Sequence, residues 1–130
     1  MAQTDFVNLF AQAERTIADD ASALVRSTAL VIEGSIKQDM TAQKHGRTYK
    51  RGGRPHVASA PGEAPAVDTG SEVNSITTEM DGRFAAEVGT PNEVAPLLEQ
   101  GTSEIAPRPA WEKAGKKAEN EFERRAKRLR

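Results

Sequence analysis

From residue 4 to residue 39 the chain repeats Phe6, Phe10, Ala13, Ile17, Ala21, Leu24, Thr28 and Val31 at spacings of three and four. That period belongs to one face of an α-helix. Any fold for this chain must be arranged along that helix. Thr4 or Asp5 can cap its first turn through a side-chain oxygen. Val25, Ile32 and Ile36 widen the apolar face in the second half, which predicts deeper burial there. Gly34 weakens the helix locally by roughly 1 kcal/mol relative to alanine. Phe10, Ile17 and Leu24 are all expected to be buried along the stripe.

The pattern stops at residues 41–70. This stretch has no helical period and holds Pro61, Gly62 and Pro65 close together. A structureless loop of that length is uncommon in a compact domain and is usually functional or disordered. An extended arm is the expectation. Pro61 and Pro65 fix φ and lower the entropy lost on ordering, and Gly62 can take a turn that other residues resist.

Order returns at Ser71. The β-branched run to Glu79, the Asp81-Gly82 turn and the alternation of Phe84–Val88 predict a hairpin with strands at about 74–80 and 83–89. Residues 94–100 read as a short helix stopped by Gly101 at its C′ position. A last helix follows over about 110–128, with Trp111, Ala114, Ala118, Phe122 and Leu129 on its apolar side. Its basic end suits the negative pole of the helix dipole. The expected fold class is α+β in a single domain over residues 1–130. Two strands alone are marginal, so a third is expected from the arm or from a neighbouring subunit.

Charge is segregated. The net charge is only −1, yet residues 44–56 carry Lys44, Arg47, Lys50, Arg51 and Arg54 with no acid. Residues 57–105 carry Glu63, Asp68, Glu72, Glu79, Asp81, Glu87, Glu93, Glu99 and Glu104 against Arg83 alone. Such blocks suit a protein whose basic arm docks on the acidic body of another copy. At 37% hydrophobic and 28% charged residues the core is thin, so association is expected to add stability. Without cysteine the chain has no disulfide and no thiolate chemistry. The start MAQTDFVNLF lacks the basic region of a secretory signal, and no apolar run is long enough for a bilayer. A soluble cytoplasmic product is the expectation, with no membrane partner.

Enzyme chemistry is poorly supported. Ser59, His56 and Asp68 are triad residue types, but no nucleophile-elbow glycine pattern surrounds Ser59. Asp68-Thr69-Gly70 matches the aspartic-protease triplet without its hydrophobic strands. His45 and His56 sit in a basic segment, a poor place for a metal cation. No catalytic residue, cofactor or metal is expected. Residues 44–56 could instead bind nucleic acid, with the cations on phosphates and Tyr49 stacked on a base.

The order of motifs adds a resemblance. The chain runs GRTYKRGGRPHVASAPGEAPAVDTGSEVNSI, then AEVGTPNEVAPLLEQGT, then PRPAW. This resembles the small head–tail joining proteins of long-tailed bacteriophages, called neck, tail-completion or minor tail proteins. Their pattern is H-x-A-S-x-P-G-x-x-P-x-x-D-T-G-x-L-x-x-S-I, followed by V-G-T, L-E-x-G-T and R-P motifs. The resemblance covers about residues 44–114. Glu72 stands where the family has leucine, and the aromatic that follows R-P is displaced to Trp111.

The resemblance implies a non-enzymatic virion protein at the head–tail junction, assembled in the host cytoplasm. It implies a ring of six or twelve copies that touches the head connector or stopper and the tail tube or terminator. Genomic DNA passes through its lumen. The implied interaction arm comprises Lys44, Arg47, Tyr49, Lys50, Arg51, Arg54, His56, Ser59, Pro61, Gly62, Pro65, Asp68, Thr69 and Gly70. The motif turns are Gly89 and Thr90, then Glu99, Gly101 and Thr102, then Arg108 and Pro109; the last two groups are expected to set the entry into the terminal helix.

Overall fold

The structure is a computed structural model that describes residues 2–67 and 70–129, with side chains described from residue 7 onward. It is an α+β fold. Helix α1 (Ala2–Thr41) is followed by β1 (Thr48–Arg51), β2 (Arg54–Val57), α2 (Ser71–Ser75), β3 (Thr77–Met80), β4 (Ala86–Gly89), α3 (Ala95–Gln100) and α4 (Trp111–Ala126). The capping side chains expected at Thr4 and Asp5 lie outside the described side chains.

α1 runs unbroken through Gly34, and its burial is uneven. Leu24, Ala29, Ile36 and Met40 are buried, whereas Ile17 is 48% and Phe10 60% exposed. The expectation that the whole stripe is buried is therefore corrected. α4 packs on the second half of α1, where its Ala114 joins Ile36 and Met40 in the core, Ala118 lines a cleft with Thr28 and Phe122 lines another with Val25. At about 1.5 Å per residue, a 16-residue helix reaches well under half the length of a 40-residue one. The start of α1 projects past its partner. The deeper burial expected in the second half is present.

The core gathers Ile36 and Met40 from α1, Ile76, and Ala110 and Ala114 from the start of α4. Ala64 joins them from the proline-containing loop. Small alanines on α4 allow close approach to α1, which leaves Ile36 with no exposed surface.

Residues 41–70 are not the structureless arm expected from the sequence. β1 and β2 form an antiparallel hairpin, with Tyr49 opposite His56 and Arg51 opposite Arg54. Gly52 and Gly53 close it at φ 58° and 79°. A two-residue turn with both φ values positive matches the right-handed twist of the strands, and glycine adopts it without steric cost. This hairpin forms a sheet separate from β3–β4, so the arm does not supply the third strand.

The predicted strand at 74–80 is shorter. Ser71–Ser75 is a helical turn instead. The Asn74 amide bonds the Gly70 carbonyl and the Ser75 hydroxyl bonds the Glu72 carbonyl. A serine hydroxyl that bonds a nearby carbonyl in this way competes with strand pairing. Extended structure starts at Ile76, which is buried in the core. The partner strand starts at Ala86, because the Asp81-Gly82 turn opens into a loop closed by the Asp81 amide on the Ala85 carbonyl at 2.8 Å.

Candidate functional site

The predicted arm divides into an exposed hairpin and a base locked into the subunit. All of β1 and most of β2 are exposed. The exposed hairpin residues include Lys50, Arg51 and Arg54, with Arg47 exposed beside it. Tyr49 packs edge-on against His56, ring centroids 5.2 Å apart. The aromatic pair stiffens the ribbon and shares a face with Arg51 and Arg54, since opposed residues of an antiparallel pair point the same way.

The feet of the hairpin are clamped. The Gly46 amide donates to the Ala58 carbonyl and the Ala58 amide to the Arg47 carbonyl, both at 2.9 Å. Gly46 is required there: a Cβ would sit 2.4 Å from the Ala58 oxygen. Glu63 holds the same place from below. Its carboxylate accepts the Ala60 amide at 2.8 Å and the His45 amide at 3.1 Å. His45 Nδ1 lies 2.6 Å from the other oxygen. The Ala60 amide first, then the His45 ring and amide, hold the Glu63 carboxyl at about 2, far below its ordinary range. Lys44 bonds the Asp39 carbonyl at the end of α1. Burial lowers its pKa, with Glu63 and Asp39 opposing that effect.

Below the clamp, the loop that carries Ser59, Pro61, Gly62 and Pro65 is tied into the fold. Pro65 is buried with Ala64, while Pro61 is exposed. The Gly62 amide donates to the Pro107 carbonyl at 3.1 Å, and Lys113 Nζ donates to the Gly62 carbonyl at 2.7 Å. Arg108 Nε donates to the Ser59 hydroxyl at 3.0 Å and carbonyl at 3.2 Å. Ser59 is thus engaged by Arg108, and no hydrogen bond joins it to His56. Asp68 and Thr69 lie outside the described residues. Gly70, at φ 82°, starts the turn into α2.

The remaining motif residues hold neighbouring turns. Glu99 accepts the amides of Ala110, Trp111 and Glu112 at the start of α4. Gly101, at φ 77°, lies so close to Ile105 and Pro107 that a Cβ would meet both at 2.9 Å. The Thr102 hydroxyl accepts the Glu104 and Ile105 amides. Pro109 lies between Arg108 and the Ala110 cap of α4. Thr90, just beyond Gly89, bonds Ser75 through the two hydroxyls at 2.6 Å and accepts the Asn92 amide.

Sequence reasoning missed the Gly52-Gly53 hairpin turn, whose signal is the glycine pair between two short polar runs. It also missed His45 and Lys113 as anchors, since neither carries a local pattern that points to its distant partner.

Among the described residues no group of three or more histidines or carboxylates stands close enough to hold a metal, and no helix is long and apolar enough to cross a membrane. The arrangement presents an exposed cationic ribbon from a base that is hydrogen-bonded into the subunit. Comparison with protein-family models, with curated proteins and with solved structures gives no match for the chain.

Proposed function

We propose that the chain is a non-enzymatic structural subunit of a phage particle. Copies assemble into a ring at the head–tail junction, complete the tail end, join the head connector and let DNA pass. The observation that carries this reading is the interlocking of the motifs behind the resemblance. Ser59 of the A-S-x-P-G segment is held by Arg108 of the R-P segment. Glu99 of the L-E-x-G-T segment caps the helix that follows R-P. Motifs that are separate in sequence form one hydrogen-bonded base, so their common order has a structural reason. That base leaves the basic hairpin outward, where a subunit contact can use it.

Negative-stain electron microscopy of the purified chain, alone and with tails from a phage lacking this gene, tests the reading. Rings, and tails that then join filled heads, are the expected result. A chain that stays monomeric and leaves tails unjoined refutes it.

A second reading is favoured by the exposed cations beside the part-exposed Tyr49: a nucleic-acid-binding module on the hairpin. Its signature is tight binding of DNA or RNA at physiological salt, with log affinity falling steeply with log salt, at a slope of about −0.9 per neutralised phosphate on duplex DNA.

A further inference from the structure

Glu79 of β3 and Glu87 of β4 are direct cross-strand partners, and both are exposed. Their side chains share the outer face of the ribbon. Thr78, Met80, Ala86 and Val88 alternate to the other face, where Thr78 bonds Glu33 of α1. Two carboxylates directly opposed on a two-stranded ribbon repel each other. Among the described residues neither has a cationic partner. The one cation of residues 57–105, Arg83, is committed to Asp19 on α1.

Two of the other acids of this stretch already have a use within the subunit. Glu63 clamps the hairpin and Glu99 caps α4. The Glu79–Glu87 pair is the place where two unpartnered carboxylates stand directly opposite each other, an unbalanced anionic patch on the outer face of the β3–β4 ribbon. The β1–β2 hairpin carries the opposite imbalance. Lys50 and Arg54 sit near its turn, on opposite faces, and neither has an acidic partner among the described residues.

We infer that the turn end of the hairpin of one copy docks end-on against the Glu79–Glu87 face of a second copy, with Lys50 and Arg54, one from each face of the tip, reaching the two carboxylates. The inference rests on the reading of the chain as an assembling subunit and names the contact that reading needs. A second copy is the fitting occupant because the complementary patch is on the same chain and matches in number and spacing, two cations at a hairpin tip against two carboxylates paired across a ribbon. The two patches are different surfaces. The contact is thus head-to-tail, and repetition of such a contact closes a ring when the rotation per subunit allows. Each exposed pair strengthens the contact by up to about fivefold, and salt weakens it.

The test uses two full-length variants. One carries Lys50→Glu with Arg54→Glu, the other Glu79→Lys with Glu87→Lys. Each alone has like charges at the contact, so its self-association by analytical ultracentrifugation at low salt should weaken about tenfold or more relative to the wild type. Mixed in equal amounts, the hairpin of each variant meets an opposite charge on the other. The mixture should recover the wild-type assembly size, with the two chains alternating. Recovery on mixing cannot come from contacts within one chain, so it separates docking between copies from a folding effect. Circular dichroism checks that each variant keeps its helix content. If a reversal variant loses it, the neutral forms Lys50→Gln with Arg54→Gln and Glu79→Gln with Glu87→Gln replace it, and each must weaken assembly. Wild-type assembly with no loss in either variant, or with no recovery on mixing, overturns the docking while leaving assembly in place. A wild-type chain that stays monomeric at every concentration tested overturns both.

Discussion

Glu99 and Trp111 stand twelve residues apart, and the carboxylate of Glu99 accepts the Trp111 amide at 3.1 Å. It also accepts the amides of Ala110 at 2.7 Å and Glu112 at 2.8 Å. A helix start leaves its first amides without acceptors inside the helix. The cap residue of α4 is Ala110, which has no side-chain oxygen to offer. Glu99 supplies from α3 what the local sequence lacks, and its negative charge meets the positive end of the helix dipole.

Removal of that carboxylate should therefore loosen α4 from its start. Glu99→Ala should destabilise the chain by about 1–2 kcal/mol, the scale of a lost helix cap. Glu99→Gln should cost less, because one amide oxygen still accepts. Urea unfolding followed by circular dichroism measures both. Equal stability of wild type and Glu99→Ala would show that water caps α4 as well as Glu99 does.

The glycines divide into those the fold requires and those it merely tolerates. Gly34 and Gly115 lie inside helices, and a Cβ at either would meet nothing within 4 Å. Gly34→Ala and Gly115→Ala should each stabilise by roughly 0.5–1 kcal/mol through lower backbone entropy in the unfolded chain. Gly46→Ala should destabilise by about 1–3 kcal/mol, the range for an overpacked site, since its Cβ would meet backbone oxygens of Ala58 and Ser59 at 2.4 and 2.7 Å. Thermal melts of the three variants should show two upward shifts and one downward.

Along α1 the same substitution should have opposite consequences in its two halves. Leu24 is 5% exposed and Ile17 is 48% exposed. Leu24→Ala should cost about 2–5 kcal/mol, as buried leucines do. Ile17→Ala should stay within about 0.5 kcal/mol in the isolated subunit. A large loss at Ile17 under monomeric conditions would mean that the first half of α1 folds back on the body.

The helices were legible because their signals are local. The α1 period, Gly101 after α3 and the apolar side of α4 each need only a few neighbouring residues. The extent of burial along α1 was not legible, since it depends on how far α4 reaches. The hairpin at 48–57 was hidden because its strands are polar on both faces, so no alternation marks them. The expected strand at about 74–80 overlaps the end of the Ser71–Ser75 turn because β-branched residues follow it, while the Ser75 hydroxyl bonds back to the Glu72 carbonyl. The motif residues stood out in sequence, but their use did not. That Arg108 reaches Ser59 across 49 positions is a fact of tertiary structure.

The Glu63 clamp should make the hairpin base sensitive to acid. In the unfolded chain this carboxyl titrates near 4.5, and in the fold at about 2. The fold therefore favours the charged form, through the Ala60 amide, the His45 ring and the His45 amide. The stabilisation this gives is complete above about pH 4.5 and is lost as the pH falls toward 2. Glu63→Gln removes the titrating group, so the variant should lose less stability than the wild type across that window. Carbon-detected NMR of the glutamate carboxyls reads the group directly. The Glu63 signal should still be in its charged position at pH 4, with the His45 and Ala60 amide shifts following it below that. A Glu63 midpoint near 4.5 would show that the carboxylate does not hold the hairpin, and Gly46 with Ala58 would then be the whole of the attachment at its feet.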